Sequence, residues 1–248
     1  MNEQAVLTPG DPTTVMQTPA RPDPSRPLRM LFSVGVLLFA LFLVAVFARH
    51  EGLNRIGLWL VGAAWALQTL AIVLRAAHAG RVPVVGAYES LTAVAWSVAL
   101  VYLVLESFTR VKAIGLYVVP VVIGLLVGAL VEYAAPRGLM PALRSDIVVL
   151  HVIVMLTAVG ALYVAGGAAL IYLFEEWQLK RRRLGGLLGR LPSLATLDRL
   201  VFHATLLGLP FLTMGMAAGV IRAETFAVER WWCDPMVLLS VAAWAVYA

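Results

Sequence analysis

From Met30 onward the chain alternates long apolar stretches with short polar ones. The first stretch runs from about Met30 to Ala48, and others fall near 56–75, 90–106, 113–134, 146–174 and 200–221. As helices rising roughly 1.5 Å per residue, all six are long enough to cross about 30 Å of hydrocarbon. The pattern therefore predicts an all-α fold, a polytopic transmembrane helical bundle with six full spans. A seventh apolar run starts near Pro235 and reaches only Ala248, roughly 20 Å of helix, which predicts a truncated seventh span. Within the spans, Gly124 with Gly128 and Gly215 with Gly219 form small-xxx-small pairs suited to close helix approach, and Pro210 should bend the sixth helix.

Ahead of these runs, residues 1–27 are rich in Pro and Thr and have no apolar period, so they read as a disordered N-terminal tail. Residues 28–248 then form one transmembrane domain, incomplete at its C-terminus. The first apolar run exceeds a signal-peptide core and no small-residue cleavage site follows it, which favours a retained helix.

Composition agrees with this pattern. Hydrophobic residues make up 61% of the 248 residues and charged residues only 13%, and the mean hydropathy of +0.89 exceeds what one soluble core could hide. The formal charge of +5 reads as basic cytoplasmic loops, and nothing points to nucleic acid. Lys180, Arg181, Arg182, Arg183, Arg190 and Arg199 form the densest basic connection, which places the 175–199 loop in the cytoplasm. Counting outward puts 49–55 and 107–112 inside, and the N-terminal tail, 76–89, 135–145 and the 222–235 loop outside. Phosphate loops, dinucleotide fingerprints, HExxH and GxSxG are absent from the sequence. So are CxxC and attached c-type heme motifs, and the single cysteine, Cys233, excludes an internal disulfide.

Against that background the stretch ERWWCDPMVL, residues 229–238, stands out at the external surface. Trp231 and Trp232 have two readings: an interfacial aromatic belt, or a platform on which a flat apolar ligand such as heme could stack. Arg222 and Arg230 flank the cluster, where they could pair with heme propionates or with lipid phosphates. Heme iron needs an axial base, and imidazole is the usual one. In SDIVVLHVIVML, Ser145 or Asp146 can cap the fifth helix, which sets His151 about one and a half turns below the external surface. It could ligate iron there or join two helices by a hydrogen bond. His78 lies at the external end of the second helix, with Glu89 and Ser90 opening the third, and its expected role is structural. His50 and His203 fall on the cytoplasmic side, and Cys233 reads as an inert thiol rather than an iron ligand.

Taken together these residues resemble the cytochrome c assembly family, of the CcsA/ResC type with its HemX-like relatives, over most of residues 60–248. GRVPVVGAYESLTAVAW is similar to a family segment marked here by His78, Pro83, Tyr88, Glu89 and Ser90. HVIVMLTAVGALYVAGGAALIYL resembles a helix opened by an external heme-ligand histidine, matched by His151, and LDRLVFHATLLGLPFLTMGMAAGVIRA resembles the helix that follows. The tryptophan-rich WWD motif is matched by Trp231, Asp234 and Pro235, with Trp244 and Tyr247 beyond it. At other positions the chain departs from the pattern: Arg222 stands where tryptophan is expected, Ala227 and Val228 replace a Trp-Gly pair, and Cys233 replaces the last tryptophan. Met236 and Val237 replace Lys-Glu, and His203 replaces an arginine.

The resemblance implies a protein of the bacterial plasma membrane that binds and presents heme b, transiently and non-covalently, at the extracytoplasmic face. His151 would be an axial ligand, with Trp231, Trp232, Arg222, Arg230 and Asp234 as further heme-binding residues. Its partners would be a second cytochrome c assembly subunit, the apocytochrome c and the bilayer, and it would be at most a component of a heme lyase or synthase complex. The departures support an alternative, a HemX-like membrane regulator or scaffold that handles no heme. A small-solute transporter ranks last, because internal repeats and mid-membrane acidic residues are lacking.

Overall fold

The computed structural model describes residues 34–41, 51–80, 82–83, 86–109, 114–133, 146–181, 193–225 and 230–248, and every regular element among them is helical. In chain order these are α1 (34–41), α2 (Glu51–Ala79), α3 (Ala87–Thr109), α4 (Gly115–Val131), α5 (Asp146–Lys180) and α6 (Leu194–Thr225). A 3-10 turn at Trp231–Cys233 and α7 (Pro235–Tyr247) follow. The expected tail, 1–27, and His50 lie outside the described residues.

Four helices are long and apolar enough to cross a membrane, in the segments Gly57–Ala79, Ala87–Phe108, Ile147–Lys180 and Leu194–Thr225. Together with the family of relatives described below, they make this an integral membrane protein. The described part of α1 is eight residues, and α4, at 17 residues, spans roughly 25 Å at the helical rise. Several helix ends differ from the hydropathy pattern, among them the start of α2 at Glu51, inside the expected 49–55 connection. The stretch 175–199, expected to be a loop, contains the end of α5 as far as Lys180 and the start of α6 at Leu194, and α6 runs on to Thr225 inside the expected 222–235 loop. Hydropathy marks where a helix meets lipid and not where its backbone hydrogen bonds stop. Glu, Gln, Leu and Lys are good helix formers, so EEWQLK prolongs α5, helped by the exposed Glu176–Lys180 pair at 2.7 Å.

Buried small and β-branched residues hold the bundle together. Val98, Tyr102, Val118, Val122, Leu126, Ala161 and Val164 form one core shared by α3, α4 and α5. A Cβ on Gly160 would lie 2.8 Å from the Ser97 carbonyl oxygen, so glycine permits α5 to touch the backbone of α3. The two small-residue pairs behave differently. Gly215 and Gly219 are indeed pressed against α5, whereas a Cβ on Gly124 would meet nothing within 4 Å and one on Gly128 only an ordinary contact with Leu91. Gly124 thus lies on an open face, because a small-xxx-small spacing permits close approach without dictating it. α6 remains one helix through Pro210.

The pairing of α5 with α6 is the most extensive in the bundle. Gly208, Gly215 and Gly219 meet Leu162, Met155 and His151 in reverse order and with the same spacings, so the two helices run antiparallel in fixed register. α7 folds back along α6. Trp244 donates its indole N–H to Thr213 Oγ1 over 2.9 Å, and Tyr247 donates its hydroxyl to the Leu162 carbonyl of α5 over 2.8 Å. The outward-facing side chains, including Leu150, Ile153, Leu206 and Leu239, are apolar and suited to lipid.

Candidate functional site at one end of the bundle

The site is built on the fixed register of α5 and α6. α5 starts at Asp146, so His151 sits five residues, or about one and a half turns, inside its N-terminal end. Ser145 lies outside the described residues. At the same level on α6 is Gly219, whose missing Cβ would stand 3.1 Å from His151 Cε1. One turn deeper, the Gly215 carbonyl accepts a hydrogen bond from His151 Nδ1 at 2.8 Å. A carbonyl can only accept, so Nδ1 carries a proton, and in the neutral imidazole Nε2 keeps its lone pair. No described residue hydrogen-bonds Nε2, and the ring is half-buried. The interhelical hydrogen bond that was one reading of His151 is therefore present, and it engages only one of the two ring nitrogens.

Arg222 lies three residues beyond Gly219, on the same face of α6 and about 4.5 Å further towards its end. Arg222 is half-buried in the last turn of the helix, where a cation also complements the helix dipole. Glu224, two residues later, points about 200° away from Arg222. Trp231 donates its indole N–H to Glu224 Oε1 over 2.9 Å. The aromatic turn thus docks on the other side of α6. His151 and Trp231 contact the same end of α6, through Gly219 and Glu224, two residues offset by about 7.5 Å along the helix and by about 140° around it.

Around Trp231 the turn is exposed. Trp232 packs edge-on against Trp231 with ring centroids 5.9 Å apart and is 58% exposed, and Cys233 is exposed beside it. Arg230 enters the turn in the left-handed region at φ 53°, a conformation that is strained for a side-chain-bearing residue. Asp234 accepts a hydrogen bond from the Met236 amide at 2.8 Å, and Pro235 follows at the first helical position, so the pair caps and starts α7. The remaining histidines are placed elsewhere. His78, exposed in the last turn of α2, contacts the Leu74 carbonyl, and His203, exposed near the start of α6, contacts the Arg199 carbonyl.

Sequence reasoning missed a second polar cluster. Arg75 of α2 donates from Nε to Glu89 Oε1 of α3 over 2.9 Å, with side-chain exposures of 5% and 1%. The guanidinium lies 4.5 Å from the Tyr88 ring centroid and 5.7 Å from that of Tyr133. Arg75, Glu89 and Tyr88, together with Pro83 and Thr92, line a cavity with room for little more than a water molecule. Glu89 is therefore a counter-ion and not merely an acidic residue at a helix start. The available signal was Arg75 itself, a cation within an apolar helix, which needs a partner of opposite charge. Below it Gln68 donates to the Thr92 carbonyl, and Trp96 stacks on Trp65 while donating to Thr69.

Comparison with known proteins places this geometry in a family. The model described as Cytochrome C assembly protein matches residues 84–248, more than half of the chain. HemX of Brevibacillus brevis is 27% identical over 228 residues, covering 89% of this chain and 83% of the relative. HemX of Bacillus subtilis (strain 168) is 27% identical over 216 residues, covering 85% and 78%. The cytochrome c biogenesis protein CcsA of Gloeobacter violaceus is 25% identical over 271 residues, covering 88% and 80%.

Proposed function

The chain belongs to the cytochrome c assembly protein family, and from that premise we propose that it serves cytochrome c biogenesis by holding heme b, non-covalently and transiently, at the extracytoplasmic face. The supporting observation is His151. Its Nδ1 is committed to the Gly215 carbonyl, so in the neutral ring Nε2 is the nitrogen with the lone pair that heme iron takes. Arg222 stands one turn further out on the same face of α6, where it would meet a propionate. Trp231 and Trp232, tied to the other side of α6 through Glu224, would supply an aromatic rim with Arg230 as a second cation, while Asp234 caps α7 behind them. When bound, heme supplies the vinyl groups to which a client's cysteine thiols add. The chain's own work is to bind, orient and present.

In this reading α1 and α4 complete six full spans around the four longer helices, and α7 begins a seventh. The basic stretch from Lys180 to Arg199 is cytoplasmic and the aromatic turn faces outward, across a bacterial plasma membrane. Residues 28–248 act as one cytochrome c assembly domain, the partners are a second assembly subunit and the apocytochrome c, and any enzymatic activity belongs to that complex.

The experiment is a hemin titration of the full chain in detergent, followed by the Soret band. Wild type and His203→Ala should bind alike and His151→Ala should lose most of the binding; equal binding by His151→Ala and wild type rejects the assignment. A second reading, a membrane regulator or scaffold that handles no heme, is favoured by the two HemX relatives and by Arg222, Ala227, Val228 and Cys233 in the tryptophan-rich region. Deleting the gene separates them, since covalent cytochrome c disappears under the first reading and persists under the second.

A further inference from the structure

We infer that Gly219 and the Gly215 carbonyl are the positioning elements of His151, which settle which ring nitrogen is presented and in what direction before any ligand arrives. The inference rests on the reading of His151 as an axial donor, but its structural core does not. Two contacts from one face of α6 hold the ring. The Gly215 carbonyl accepts from Nδ1 at 2.8 Å, which fixes the tautomer of the neutral ring and leaves Nε2 as its nitrogen with the lone pair. Such a bond also raises the basicity of the opposite nitrogen.

Gly219 acts by what it lacks. Its Cβ would stand 3.1 Å from Cε1, the carbon between the two ring nitrogens. Pressure at that atom displaces the ring by a few tenths of an ångström, weakening the Nδ1 bond and turning Nε2 at the same time. The contact belongs to the fixed register of α5 and α6, so the backbone of α6 has little freedom to retreat. His78 and His203 also place Nδ1 against a carbonyl, but each does so exposed and against a carbonyl of its own helix. Among the described histidines only His151 hydrogen-bonds across a helix interface, to a residue 64 positions away.

Histidine-selective ¹⁵N labelling of the apoprotein in detergent micelles, with His151→Ala to assign the resonances, reads the tautomer directly. In wild type His151 should carry its proton on Nδ1. Gly219→Ala should shift only the His151 resonances, and Gly219→Val should shift them further. Gly124→Ala, whose new methyl group meets open space, should change nothing. In hemin titrations Gly219→Ala should bind about 10-fold more weakly than Gly124→Ala, with an altered reduction potential of the bound heme. A His151 proton found on Nε2 in wild-type apoprotein overturns the inference, and so does a Gly219→Ala protein that matches Gly124→Ala in both tautomer and affinity. If Gly219→Val does not fold, the wild-type tautomer still decides. If His151→Ala keeps wild-type hemin binding while the tautomer is as expected, the seating of the ring stands and the heme reading alone falls.

Discussion

Trp231 donates its indole N–H to the Glu224 carboxylate over 2.9 Å, and this bond ties the exposed aromatic turn to the last turn of α6. Glu224→Ala should release the ring at a cost of about 1 kcal/mol, because the pair is exposed and water replaces the lost partner. With 5-fluorotryptophan incorporated and Trp231→Phe used for assignment, the Trp231 ¹⁹F resonance should move and narrow. A resonance identical to wild type would show that the bond does not hold the turn.

Arg75 and Glu89 are a buried ion pair between α2 and α3, so removing either partner strands a charge in the bundle. Arg75→Met alone should cost about 3–5 kcal/mol. Arg75→Met combined with Glu89→Leu should recover most of the loss, since an apolar pair of similar volume needs no counter-charge. Thermal midpoints in detergent test this, and a double variant as unstable as the single one would mean that the aromatic contacts of Arg75 matter more than its charge.

Two glycine substitutions with the same chemistry should differ in sign. Gly160→Ala drives a methyl group to 2.8 Å from the Ser97 carbonyl oxygen, and backbone cannot swing aside, so destabilisation of about 1–3 kcal/mol is expected. Gly124→Ala meets open space and should be neutral or stabilising by up to about 1 kcal/mol. Equal melting temperatures for the two variants would contradict the close contact of α3 with α5.

Asp234 caps α7 through the Met236 amide, so Asp234→Ala should weaken the start of that helix by about 1 kcal/mol. Hydrogen exchange at the first amides of α7 should accelerate, and Asp234→Asn should restore protection because asparagine caps nearly as well. Acceleration spread evenly through the bundle, with no preference for α7, would argue against a local capping role.

Much of the architecture was legible because lipid imposes a simple rule. A backbone inside hydrocarbon must satisfy its own hydrogen bonds, so long apolar runs become helices and their order follows from the chain. Asp234 and Pro235 could be read as a motif match, and the structure gives them a capping geometry that any helix start would use. His151 and Trp231 were expected at a common end, and they contact α6 at Gly219 and Glu224, about 7.5 Å apart along its axis. The ends of α5 and α6 were less legible, since charged helix formers continue a helix after its apolar face has ended. Nor did the spacing of Gly124 and Gly128 reveal that Gly124 faces open space.

By itself the sequence determined that this is a helical membrane protein, because hydropathy and helix rise are local properties that act along the chain. Only the tertiary structure decided that Gly215 and Gly219 seat His151, that Glu89 neutralises Arg75, and that Trp231 docks on the far side of α6. Those choices depend on the rotational phase at which helices meet, and that phase is set by the packing of all neighbouring faces together rather than by the residues of any one helix.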